Sequence, residues 1–393
     1  MGALGKPHVR VSFTLGGYRG RKVWGEKGRS DEVKRFFCFS CVAVATVAGL
    51  ALVGLLLVWC ASTESSSASA MPGRAGQSGS AVLVSAGSEF TVCTAAGNQY
   101  VPAIYGDIVV WHDDRGADHD IYGYDLSTGQ EFTVCTASGY QGGVAIYGDI
   151  VVWTDWRGAD YDIYGYDLST GQEFTVCTAS GDQFGPAIYG DIVVWQDERG
   201  ADDDIYGYDL STRQEFTVCT ASGGQYYPAI YGDIVVWNDG RGADDDIYGY
   251  DLSTGQEFTV CTASGYQNYP AIYGDVVVWS DLRGADYDIY GYDLSTGQEF
   301  TVCTASGYQY VPAIYGDIVV SYDWRGIDRD IYGYNLSTGQ EFTVCTAAND
   351  QDSPAIYGDV VVWEDDRGTD RDIYGRQIRF RIYLPIIMRN HDP

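Results

Sequence analysis

PAIYGDVVVWSDLRGADYDIYGYDLSTGQEFTVCTASG, residues 270–307, recurs along the chain with few changes and in unbroken register. Its cysteine falls at Cys93, Cys135, Cys177, Cys219, Cys261, Cys303 and Cys345, 42 residues apart each time. A period near 40 holding several short strands marks a β-propeller. Strand A covers residues 270–273, and Gly274-Asp275 supplies a two-residue hairpin turn. Strand B runs over 276–279, and the loop 281–286 leads to strand C, 288–294. Ser295-Thr296-Gly297-Gln298 turns the chain into strand D, 299–304.

The chain enters the repeat at a D strand, 89–94, and leaves it after a C strand, 372 to about 380. The last blade therefore lacks an outer strand, and the first strand is left over. Pairing the two removes two open sheet edges and closes the ring. The expected fold is all-β: a seven-bladed propeller of 42-residue, four-stranded blades over residues 81–380. Each blade needs its neighbours to bury its faces, so the blades stand or fall together.

Ahead of the repeat lie a basic segment, 1–35, and an uncharged run, 36–59. The run is long enough to span a bilayer as a helix. Basic residues precede it, which places the propeller outside the cytoplasm. Segment 36–60 reads as a transmembrane signal anchor. It also reads as a signal peptide cut after Ala68-Ser69-Ala70, or as a lipoprotein signal cut before Cys60. Every reading exports the propeller, held to the membrane through this helix or secreted. Residues 61–80 form a Ser/Ala/Gly-rich tether, and 381–393 a basic, apolar tail. The expected state is a monomer.

The net charge of −30 is divided unevenly: residues 1–79 sum to +6 and the rest to −36. Such a surface repels phosphate backbones and excludes nucleic acid as a partner. The seven repeat cysteines occupy one position per blade, roughly 15–20 Å apart, whereas a disulfide needs Cα atoms within about 7 Å. They read as buried, unpaired thiols.

Comparison among the seven repeats separates fixed from variable positions. Fixed are the turn aspartate (Asp107 to Asp359), a D–A loop glutamine (Gln99 to Gln351), and the segment Asp-x-Arg-Gly-x-Asp-x-Asp. That segment includes Asp113, Arg115, Asp118 and Asp120, and in the fifth repeat Asp281, Arg283, Asp286 and Asp288. A structural reading has the arginine forking onto a carboxylate to tie the B–C hairpin. A calcium loop is the alternative, because closely spaced aspartates are hard oxygen donors. No other cofactor is indicated. The variable positions fall in the B–C and D–A loops, which project on one face. They include His112, His119, Trp156, Tyr161, Tyr226, Tyr227, Tyr287, Trp324, Arg329 and Arg371. A rim of aromatic and polar groups suits protein or glycan recognition.

Enzyme signatures are poor. Of four histidines only two lie in the ring, and no nucleophile elbow or phosphate loop occurs. A non-enzymatic interaction scaffold is the expected function. The alternatives are a secreted carbohydrate-active enzyme using loop carboxylates, or a structural cell-surface component.

The string Ile-Val-Val-Trp-x-Asp-x-Arg-Gly-x-x-x-Asp-Ile-Tyr-x-Tyr-Asp-Leu, with its Phe-Thr-Val-Cys-Thr strand, resembles the TolB-type propeller repeat over residues 86–380. The likeness is strongest to tandem forms on prokaryotic cell-surface proteins. It implies an interaction scaffold outside the cytoplasm. The chain differs from TolB in lacking its separate N-terminal α/β domain, and Tyr-Gly-Asp replaces the usual Ser-Pro-Asp-Gly turn.

Overall fold

The computed structural model describes residues 81–383, which form twenty-eight strands in seven four-stranded antiparallel sheets. The segments 1–80, with their anchor or signal and tether, and the tail from 384 lie outside the described residues. In blade 1, strand A is Gln99–Tyr105, B is Ile108–Asp113, C is Asp120–Asp125 and D is Gln130–Cys135. Blades 2 to 6 repeat this from Gln141, Gln183, Gln225, Gln267 and Gln309, and blade 7 starts at Gln351.

Strand A begins three residues earlier than its apolar run suggests. In blade 5, Gln267 pairs with Asp281, and the register then slips between Asn268 and Ala271. Pro270 sits within that β-bulge, where its missing N–H breaks no ladder bond. Strand B correspondingly reaches Asp281 rather than Trp279.

The ring closes as expected. The opening strand, Ala81–Cys93, pairs antiparallel with the final strand, Asp372–Tyr383, in the outermost place of blade 7. Both strands are longer than the repeat alone requires, and the final one runs three residues past the expected boundary at 380.

The core lies between blades. Val152, Ile163, Val176 and Cys177 of blade 2 meet Ile188, Val193 and Trp195 of blade 3 in one buried cluster. Equivalent clusters recur around the ring, with Trp111, Trp153, Trp195, Trp237, Trp279 and Trp363 fully buried. Blade 6 is the exception. Ser321 stands in the tryptophan's place, its cluster has no tryptophan, and the adjoining Cys303 is only half-buried.

Glycine in the middle of strand C is normally unfavourable. Here the facing phenylalanine of strand D lies flat over it. A Cβ at Gly207 would stand 2.4 Å from Cζ of Phe216. The Gly207→Ala variant is expected to lose about 1–3 kcal/mol by overpacking, measured by urea denaturation. An unchanged midpoint would show that the ring shifts freely.

The A strands are innermost. Their last residues, Tyr105, Tyr147, Tyr189, Tyr231, Tyr273, Tyr315 and Tyr357, touch one another in a closed ring with centroids 4.6–4.8 Å apart. Burial, followed by the neighbouring Tyr189 and Tyr105, raises Tyr147 to about 12.

Candidate functional site

The fixed Asp-x-Arg-Gly segment is a clasp between blades. Arg157 donates through Nε and Nη2 to both oxygens of Asp155, at 2.9 and 2.6 Å. Its Nη1 reaches Glu173 on strand D of the same blade at 2.5 Å. Nη2 also donates to Sγ of Cys135 on the preceding blade at 3.3 Å, and the guanidinium lies 4.0 Å over Tyr164. Asp155 in turn accepts the indole N–H of buried Trp153 at 2.8 Å. Arg283 repeats the fork on Asp281, whereas Arg115 meets Asp113 through Nη2 alone, at 2.6 Å, with its Nε left without a partner. Burial raises the Cys135 thiol to about 12, so it stays protonated. At the seam, Glu89 of the opening strand supplies the carboxylate to Arg367.

The next aspartate serves the loops. Asp118 accepts the N–H of Gly139 at 2.7 Å, and Asp286 that of Gly307 at 2.8 Å. These carboxylates are taken by arginine, indole and backbone donors. No group of three or more His, Cys, Asp or Glu is arranged to hold a metal ion among the described residues. The structural reading of the segment accounts for these contacts. Asp120 and Asp288 differ: burial, then the charges of their neighbouring aspartates, raise both to about 6. The fixed glutamine braces the D–A loop, as where Gln183 donates to the carbonyl of Gly181 at 2.6 Å.

The B–C and D–A loops do share one face. Trp156 N–H donates to Tyr140 O at 2.7 Å, and Gln141 N–H to His119 O at 2.9 Å. The exposed large apolar side chains among the described residues, Val101, Trp156, Tyr227, Tyr266, Tyr308, Trp324 and Ile327, all lie here. Of the sequence candidates, Trp156 (44% exposed), Tyr227 and Trp324 (41%) are open to solvent. His119, Tyr161, Tyr226, Arg329 and Arg371 are half-buried. His112 (3%) and Tyr287 (6%) are buried beneath the face rather than on it.

The face divides into three sectors. Across blades 1–3, Tyr100, His112, His119, Tyr140, Tyr161, Trp156 and Phe184 form a continuous chain of ring contacts. Across blades 4–6 a second chain links Tyr227, Tyr269, Tyr310, Tyr287, Tyr308 and Trp324. Between them lies a charged sector. Arg329 bonds Asp350 at 2.6 Å and Asp352 at 2.8 Å, and Arg371 bonds Glu364 and Asp366 at 3.0 Å each. A cleft of about 630 Å³ opens here, lined by Asn98, Ile327, Asp350, Asp366 and Arg371 among others. Burial outweighs the pull of Arg329 and raises Asp352 to about 7.

Sequence comparison treats the next-to-last residue of strand B as a loop position. The structure buries it in five blades, and in four of them it caps the neighbouring blade's bulge. The bulge residue has positive φ in all seven blades: Val101 (47°), Gly143, Gly185, Tyr227, Tyr269, Val311 and Ser353. Its N–H is turned out of the ladder and needs an acceptor. Glu364 accepts from Val101 at 2.7 Å, Thr154 from Gly185, Asn238 from Tyr269 and Ser280 from Val311 at 3.1 Å each. The uniformly polar side chains at this position were the available signal.

The fold and this face define a seven-bladed propeller with a single diversified rim. No protein-family model matches the chain, and no curated protein matches its sequence. Solved structures do resemble it in fold. The β-propeller domain of the Trilobed protease from Pyrococcus furiosus aligns over 76% of this chain and 99% of that one, at 13% identity and TM-score 0.60. Oligogalacturonate lyase from Vibrio parahaemolyticus aligns over 75% and 96%, at 12% identity and TM-score 0.58. TolB from Acinetobacter baumannii is also among the similar structures, at 19% identity and TM-score 0.48, over 60% of this chain and 62% of that one. The Pyrococcus domain is described as having an open velcro topology, whereas the ring here is fastened by its opening strand.

Proposed function

We infer that the protein is an interaction scaffold that binds a protein or glycan through the face carrying the B–C and D–A loops. The observation that carries this is the gathering of the exposed large apolar side chains on that face, around a cleft with charged walls. Exposed aromatics beside satisfied ion pairs are the composition of recognition surfaces. On this reading the propeller works outside the cytoplasm, tethered or released by its N-terminal segment.

The test is binding of the purified propeller to a polysaccharide panel and to the cell-envelope fraction of its source. Replacing Trp156, Tyr227 and Trp324 together by alanine should weaken binding at least tenfold, with the melting temperature unchanged. Equal binding by the variant would defeat the reading. A second reading, a carbohydrate-active enzyme, draws on Asp352. Its carboxyl titrates near neutrality and pairs directly across the strands with Glu364, as a proton donor for glycoside cleavage would. Turnover of a polysaccharide in the same panel would favour it.

A further inference from the structure

Blade 1 departs from its neighbours at the position that caps the bulge. Blades 2, 4, 5 and 7 place an oxygen acceptor there: Thr154, Asn238, Ser280 and Glu364. Blade 1 places His112. It is buried, and neither of its ring nitrogens has a hydrogen-bond partner among the described residues. His119, from the B–C loop, lies beside it with ring centroids 5.6 Å apart, and its Nδ1 is likewise buried without a partner. Tyr100 and Tyr140 wall the pair, with centroids 5.1 Å from His112 and 4.9 Å from His119 respectively.

Three buried ring nitrogens, two of His112 and one of His119, therefore sit in adjacent rings without partners. A neutral imidazole offers one donor and one acceptor, and burying both unmet carries the full cost of their desolvation. Native structures seldom leave such groups unexplained, and an ion is one of the standard explanations. Paired imidazoles are the ligands that zinc, nickel and copper ions take most readily. Two imidazoles on one tetrahedral zinc, each nitrogen about 2.0–2.1 Å from the metal, set their ring centroids about 5–6 Å apart. The observed separation falls in that range.

We propose that His112 and His119 form an open two-imidazole site for a zinc-class divalent ion. Among the described residues no third His, Cys, Asp or Glu completes a cage. The remaining positions are left for water or for an oxygen or nitrogen of whatever occupies the face. Calcium and magnesium, which take oxygen ligands, do not fit it.

The test is isothermal titration of the metal-stripped full chain with Zn²⁺, Ni²⁺ and Co²⁺, and with Ca²⁺ and Mg²⁺ for contrast. Cobalt absorption in the visible reports nitrogen ligation. One saturable site per chain is expected for the first three ions and none for the last two. His119→Ala and His119→Gln should each weaken Zn²⁺ binding at least tenfold without changing the metal-free melting temperature. His8→Ala with His391→Ala should leave it unchanged. Absence of saturable Zn²⁺ binding, binding indifferent to His119, or binding lost with His8 and His391 would each overturn the proposal. No macromolecular ligand enters the assay, so its failure is separate from failure of the recognition reading.

Discussion

A chain that begins after residue 94 is expected to lose its cooperative unfolding transition and to aggregate. The opening strand contributes one quarter of blade 7, and its removal strips the final strand of its outer partner from Ile373 to Tyr383, leaving it paired only through Gln377 on its inner side. The exposed edge would be long and largely unprotected, a template for pairing with other chains. Three further losses coincide. Phe90 no longer covers Gly375. Val92 and Cys93 leave the cluster that holds Trp111 and Ile373. Arg367 and Arg376 both lose Glu89, and removing one partner of a part-buried charged pair costs more than the pair itself contributes. In a ring the damage spreads, because each blade is buried only by its neighbours. Adding a peptide of residues 81–94 should restore a single melting transition. A soluble, cooperatively folding chain without the strand would show that the ring stays shut by other means.

Acidification from pH 7.5 to pH 5 should raise the melting temperature. Asp120, Asp162, Asp204, Asp246, Asp288, Asp330 and Asp372 each titrate at about 6, raised first by burial and then by neighbouring aspartates. In the unfolded chain the same carboxyls titrate at about 3.9. Between those values the folded state holds more protons than the unfolded one, so stability grows as pH falls through 6 toward 4. Asp352, raised to about 7, acts in the same direction. His112 opposes it. Burial lowers it to about 3, so its contribution is lost as pH falls below its unfolded value near 6.5, but it is one group against eight. A rise of about 5 °C or more is expected, followed by a decline below about pH 4 as carboxylates held by donors, such as Asp350, take up protons. Replacing Asp162, Asp204 and Asp246 by asparagine should raise stability at pH 7.5 and cut the pH dependence by about three-sevenths. A melting temperature that falls steadily on acidification would sink this account.

The ring was legible in the sequence because its evidence is arithmetic. The fixed spacing of the cysteines set the blades, and the surplus strand at Glu89 together with the missing one after Asp372 set the closure. The arginine's fork onto the neighbouring aspartate was legible too, since guanidinium and carboxylate two residues apart across a turn can hardly miss each other. Its reach to Glu173 and to the preceding blade's Cys135 was not, because those contacts cross between strands far apart in sequence. Depth was also hidden. His112 looks like a loop residue when strand B is drawn too short, and Tyr287, which does lie in the B–C loop, is buried there against Tyr310. The bulge that draws residue 112 inward is invisible in a pattern of apolar and polar letters, because Val101 and Tyr227 adopt a backbone that ordinarily favours glycine. The tyrosine ring went unread for a simpler reason. A residue fixed at the inner end of every blade must meet its own copies around the axis, and that inference needs a circle rather than a line.

That circle makes the inner margin of the ring continuous where its outer margin is seamed. The opening and final strands meet in blade 7, yet Tyr357 touches Tyr105 at 4.7 Å as each tyrosine touches the next. At the axis the break in the covalent chain leaves no mark, and no blade there is first or last.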